Sequence, residues 1–262
     1  MDAERISQLR KAKSCNPVLF ELLLFVIMMP RIPLIEDLTR EAVPEGSNLL
    51  VEFDPTSQWY SASISIMAGW IRTGGKVAYN VAAQPPEKIR LRLKSLGLVP
   101  EQLEKTGSLR LFDWYTATLG QKSTELFFQD SLKVADMSIQ FAKQQVPGPP
   151  IPEFLGIMDN ASVQARFNDE KAWIEFALTR AIPSSYTRKS TSIDGVLRGV
   201  HSEWAYTQLE AAYDGVIDLR LVDEGESTED LIRIRSMRDV SHDRNWHELK
   251  IGSNFEVTVQ SK

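Results

Sequence analysis

Apolar positions along the chain switch repeatedly between two spacings. Residues 49–53 (Leu-Leu-Val-Glu-Phe), 77–81 (Val-Ala-Tyr-Asn-Val), 108–112 and 154–158 are short apolar or alternating runs, the mark of buried strands. Between them, residues 60–71, 86–96, about 124–145 and about 169–181 predict helices. In the third of these, Phe128, Leu132, Ala135, Ile139 and Ala142 recur at helical spacing. Pro86 opens the second helix and Gly97 follows it, the expected asymmetry of helix ends. Residues 147–152 (Pro-Gly-Pro-Pro-Ile-Pro) predict a rigid loop rather than a linker, because a strand follows at once. A last helix falls at 202–212, with His201 as a polar residue before its start. From Asp214 onward the pattern predicts antiparallel strands added at one edge. Strands separated by helices imply βαβ units, hence an α/β fold with a mostly parallel, twisted sheet and helices on both faces.

Residues 1–30 read as an extension preceding a domain of residues 31–262. A basic stretch with Arg5, Arg10, Lys11 and Lys13 precedes the apolar run 18–29, which Pro30 closes. That run is shorter than the roughly 20 residues a spanning helix needs, and no small-residue cleavage site follows it. Three readings stay open: a buried or partner-docking helix, membrane-surface contact through residues 17–29, and an over-extended start, with Met28 and Met29 just ahead of the domain.

Composition narrows the function classes. With 43% hydrophobic residues the chain can bury a sizeable core. Thirty basic residues against 35 acidic ones leave a net charge of −5, which argues against binding nucleic acid by overall charge. A single cysteine, Cys15, excludes an intrachain disulfide and points to a reducing, cytoplasmic setting. In the tail, Arg233, Arg235, Arg238, Arg244 and Lys250 are matched by as many acidic residues, so paired cross-strand charges are expected rather than a phosphate track.

In an open α/β sheet a ligand site belongs at the carboxyl ends of the strands, here the turns after residues 53, 81, 113 and 159. The first turn, Glu52-Phe-Asp-Pro-Thr-Ser-Gln-Trp-Tyr60, stands where a phosphate loop would. It has no glycine between Gly46 and Gly69, and Glu52 and Asp54 add negative charge. Gly120-Gln-Lys-Ser123 lacks the glycine spacing of such a loop. His242 and His247 with Asp243 between them form too small a set for a metal site.

Several stretches in order resemble the RecA/KaiC-like ATPase family, in its archaeal KaiC-like branch. They are residues 31–38 and 43–51, Lys94-Ser-Leu-Gly-Leu, Gly107-Ser-Leu-Arg-Leu-Phe-Asp113, Tyr213-Asp-Gly-Val-Ile-Asp-Leu219, Ile232-Arg-Ile-Arg-Ser-Met-Arg238 and Ser241-His242. Together they span nearly nine-tenths of the chain. The resemblance implies a RecA-like P-loop NTPase core. It places the family's Walker A lysine on Trp59, its magnesium-binding hydroxyl on Tyr60 and its loop glycines on Phe53, Thr56 and Gln58. The paired glutamates that activate water fall on Ala82 and Ala83, and the Walker B aspartate is kept as Asp159. The closing-strand Lys-x-Arg becomes Ser236-Met237-Arg238, and His242 keeps its place. In the family these last residues reach a neighbouring subunit.

Phosphoryl transfer is mostly positioning and charge neutralisation. A site without cradle, lysine, metal-binding hydroxyl and base is therefore expected not to hydrolyse ATP. The expectation is a pseudo-ATPase with no cofactor and no metal. It would act as a regulatory or scaffolding subunit in a homo-oligomer or beside an active KaiC-like paralogue. Two alternatives stand: a nucleotide-binding ATPase or switch with a rebuilt site around Asp159, and a nucleic-acid-binding RecA relative.

Overall fold

The computed structural model describes residues 31–144, 151, 153–224 and 227–260. The extension 1–30, including the run 17–29 for which membrane-surface contact is one reading, and most of the proline-rich loop 147–152 lie outside the described residues. The elements follow in the order β1 (Asn48–Phe53), α1 (Trp59–Arg72), β2 (Lys76–Val81), α2 (Pro86–Ser95), α3 (Pro100–Thr106), β3 (Leu109–Asp113), α4 (Tyr115–Thr118) and β4 (Phe127–Phe128). Then come α5 (Val134–Gln144), β5 (Phe154–Met158), α6 (Ser162–Ala165), α7 (Glu170–Phe176), a π turn (Ala177–Ala181), α8 (Ile182–Arg188) and β6 (Thr191–Leu197). The chain closes with α9 (Glu203–Ala212), β7 (Gly215–Glu224), β8 (Ser227–Met237), β9 (His247–Ile251) and β10 (Val257–Val259).

One ten-stranded sheet runs β10-β9-β8-β7-β1-β6-β5-β2-β3-β4. All six residues of β1, the central strand, are buried, and its alternate side chains feed opposite faces. Leu49, Val51 and Phe53 join the core under α1 and α2, with Met67, Ile89 and Leu93. Leu50 joins Trp173, Ile174, Ile182, Val196 and Leu209 under α7 to α9. A third cluster, Ala82, Trp114, Met137, Met158, Val163 and Phe176, covers the far end of that second face. The expected α/β fold with helices on both faces is observed.

Three expectations need correction. The tail is not antiparallel from Asp214: β7 runs parallel to β1, pairing Glu52 with Asp218, and reversal begins only at β8. Cross-strand charge pairing does occur, with Arg233 opposite Asp218 in the β7–β8 ladder. The helix expected over 124–145 starts only at Val134. Residues 127–128 instead extend the sheet beside Phe112 and Asp113, the Phe112 and Phe127 rings lie 5.1 Å apart, and Gln129 N–H donates to the Asp113 carbonyl. Edge pairing with an aromatic contact outweighs a helical apolar spacing there. The helix near 169–181 continues to Arg188 through the π turn, just before Pro183. Pro183 has no N–H to offer an unbroken α-helical ladder, and the wider turn absorbs the defect.

Candidate functional site

The carboxyl ends of β1, β2, β5 and β6 converge on the turn that precedes α1. Its first helical residue, Trp59, points inward and is 1% exposed. The indole stacks on Phe53 at 5.9 Å, and its Nε1–H donates to the Asp159 carbonyl at 2.6 Å. Gly195, in the middle of β6, makes the seat: a Cβ there would come within 2.4 Å of Trp59 Nε1 and 2.7 Å of the Asp159 carbonyl oxygen. A glycine inside a strand is the one local sign in the sequence of such a close approach. Tyr60 meets Phe53 edge-on at 5.6 Å and accepts a hydrogen bond on its phenol oxygen from Asn160 Nδ2 at 3.0 Å. Gln58 caps α1 without a side-chain bond, and its backbone N–H donates at 3.1 Å to the carboxylate of Asp230 on β8. Thr56 is exposed in the same turn.

Asp159 is fully buried. Its carboxylate accepts backbone N–H bonds from Ala82 at 2.8 Å and Ala83 at 3.3 Å. Desolvation pushes its pKa up to about 7 against these stabilising amides. Asp159, Ala82, Ala83, Phe53, Gln58, Trp59 and Tyr60 are thus brought together. What they form is an occupied centre: the aspartate spans to the next strand's backbone, and aromatic rings fill the turn.

Arg238 and His242 are not part of it. Arg238 follows β8 at the amino end of the parallel strands, where Asp214 N–H donates to the Asn48 carbonyl. Its guanidinium donates to the Ala211 carbonyl and lies 3.7 Å from Asp214. His242 bridges to Thr39, donates from Nδ1 to the Val240 carbonyl, and lines a shallow hollow of about 420 Å³ with Asp37, Arg40 and His247. His247 sits 3.2 Å from Asp243. Among the described residues, no three His, Cys, Asp or Glu side chains are grouped to hold a metal ion.

Two polar clusters surround this centre, and of their members only the tail arginines stand out in the sequence as charge-pair candidates. Beside the loop, fully buried Asp218 accepts from Arg233 Nε at 2.8 Å and Arg198 Nη1 at 3.1 Å, with Arg235 Nη2 at 3.4 Å. Glu52 is 2.7 Å from Arg235 Nη2 and 3.3 Å from Arg198 Nη1. The Arg235 contact is ionic without a well-aligned hydrogen bond, because neither atom has a partner in hydrogen-bonding geometry. Burial, only partly offset by Arg235, raises Glu52 to about 7. The negative charge of the turn is therefore spent on arginines from β6–α9 and β8. The second cluster joins Ser162, His201 and Glu170: His201 Nε2 lies 2.8 Å from Ser162 Oγ and Nδ1 lies 3.3 Å from Glu170 Oε1. His201 is thus a buried packing residue, its ring stacked on Trp173 at 4.7 Å, rather than a polar start residue; Ser202 caps α9 instead.

No protein-family model matches the chain, and no curated protein matches it by sequence. Its RecA-like fold, however, is shared with archaeal proteins of known structure. A KaiC-like protein from the hyperthermophilic archaeon Pyrococcus horikoshii is similar with a TM-score of 0.65 at 17% identity, over 88% of this chain and 97% of that one. The flagellar accessory protein FlaH from Methanocaldococcus jannaschii is similar with a TM-score of 0.67 at 14% identity, over 89% of this chain and all of that one.

Proposed function

We propose that this chain is a catalytically inactive KaiC/RecA-like protein that serves as a regulatory or scaffolding subunit through oligomer assembly. One observation carries the reading: the turn that stands where P-loop proteins hold phosphate is filled by the chain itself. The Trp59 indole occupies its interior and bonds to the Asp159 carbonyl, and the Asp230 carboxylate takes the N–H at the start of α1. An anion at that helix terminus would meet Asp230 and a wall of aromatic carbon rather than open amides. Ala82 and Ala83 offer no base, and their amides are held by the Asp159 carboxylate.

Assembly is the activity left to such a chain. Arg238, with its side chain about half exposed, is the residue that would complete a site on a neighbouring active subunit. Substituting Arg238 with alanine should lower ATP turnover in an active KaiC-like partner, and unchanged turnover would remove that role. Among the described residues no helix is long and apolar enough to cross a membrane.

The deciding experiment is calorimetric titration of the purified chain with Mg-ATP and Mg-ADP, alongside sedimentation to record its assembly state. No saturable heat at millimolar nucleotide is expected, together with a defined oligomer. Tight binding abolished by Asp159→Ala would replace this reading with that of a nucleotide switch.

A further inference from the structure

The Ser162, His201 and Glu170 side chains lie in the order of a nucleophile, its base and the base's orienting acid. Their surroundings rule against that chemistry. Ser162 is 5% exposed, and its Oγ already accepts the Leu197 N–H at 3.0 Å. The array closes on itself, tying α6, α7, the end of β6 and the connection into α9.

Its proton arrangement follows from the partners. Glu170 accepts the Ser202 hydroxyl at 2.6 Å and the Ser202 N–H at 3.0 Å, which hold its carboxyl below the usual range and ionised. A carboxylate can only accept, so His201 carries its proton on Nδ1 and presents a bare Nε2 to Ser162. The Ser162 hydroxyl donates to Nε2 and accepts from Leu197. Protonating Nε2 leaves two donors aimed at one serine oxygen, whose own O–H must turn away. The groups facing the ring are Ser162 from α6, Glu170 and Trp173 from α7, and Tyr206 from α9, whose hydroxyl donates to the Leu197 carbonyl at 2.7 Å. Glu170 is the only charge among them. Burial lowers the His201 pKa more than Glu170 raises it.

We propose that His201 is a proton-operated latch, holding the 199–202 connection onto α6 and α7 when neutral and releasing it on acidification. That connection carries Val200 and leads into Trp204, two exposed apolar side chains at the carboxyl end of the sheet. The latch makes the posture of this surface depend on pH, and it is independent of whether nucleotide binds. The sign is fixed by the geometry. An open connection returns the imidazole to water, where it titrates near 6.5. Opening is therefore unaffected above that pH and grows as pH falls below it, by at most about tenfold per pH unit for one proton.

Hydrogen exchange of the full chain, read by mass spectrometry on peptides spanning 197–206 and corrected for intrinsic exchange, tests this at pH 7.5 and 5.5. Protection should fall about three- to tenfold in the native chain and less than twofold in His201→Gln, with β2 peptides as the unchanged reference. Ser162→Ala should already be deprotected at pH 7.5 and show a smaller step. An equal step in the native chain and His201→Gln, or no step in the native chain, overturns the latch. Should His201→Gln not fold, NMR titration of the three histidine rings in the native chain decides. A His201 ring titrating at or above the ordinary histidine value also overturns it.

Discussion

Two fully buried aspartates sit at the same end of the sheet and are handled in opposite ways. Asp159, after β5, is paired with no cation among the described residues; its oxygens rest on backbone amides, and desolvation leaves its pKa near 7. Asp218, on β7, is ringed by Arg198, Arg233 and Arg235. The first carboxylate is tolerated because it can take a proton and because aromatic carbon keeps water away. The second is tolerated because guanidinium groups replace its hydration. The difference teaches where the charge of this end of the molecule has gone. The loop centre is apolar and near neutral, while the ionic partners lie one strand away, bound to each other. A nucleotide phosphate would need its cations where the rings now are.

The comparison can be broken most severely at Trp59. Trp59→Ala should cost about 3–5 kcal/mol, because it empties an indole-sized space and strands the Asp159 carbonyl. Urea denaturation measures this, and a loss below about 1 kcal/mol would mean that the ring is not the keystone of the turn. Asp218→Ala comes next. Removing the shared anion leaves three arginines crowded and should cost about 3 kcal/mol, more at low salt than at high salt. Asp218→Asn should recover only part of it.

Asp159 sharpens the contrast through pH. Its folded pKa of about 7 lies above the ordinary 3.8, so its favourable contribution is full below about pH 4 and is lost as pH rises through 7. Glu52, near 7, and Asp194, near 6, act in the same direction, so total stability cannot isolate it. The difference between the native chain and Asp159→Asn can. At pH 8 the variant should equal or exceed the native chain in stability, and at pH 4 the ordering should narrow or reverse. A difference independent of pH would place the burden on the other two carboxylates. The smallest expected effect is Tyr60→Phe, about 1 kcal/mol for the lost Asn160 bond, with the aromatic contact to Phe53 retained.

The strands and most helices were legible because apolar periodicity reports burial directly. The errors fell where pairing, not periodicity, decides. Nothing local marks residues 127–128 as an edge strand, since their partner Phe112 is fifteen positions away. The direction of β7 depends on which strand it lies beside, which periodicity does not encode. The candidate site was legible in its members: Trp59 stood out as a bulky residue in a loop meant for glycine, and Asp159 as a strand-end carboxylate. Asp230 and His201 were not, because each acts through a partner far along the chain, Gln58 and Ser162 respectively.

By itself, then, the sequence determined the α/β alternation, the ends of the strands where a site belongs and the residue types present in the first turn. These follow from local chemistry: side-chain spacing, glycine and proline placement, and charge. Only the tertiary structure decided that the Trp59 ring turns inward onto Asp159, that the turn's acids are answered by Arg198 and Arg235, and that His201 is sealed against Trp173. Each of these joins segments 28 to 183 residues apart, and whether a polar group is open or satisfied depends on what the fold sets against it.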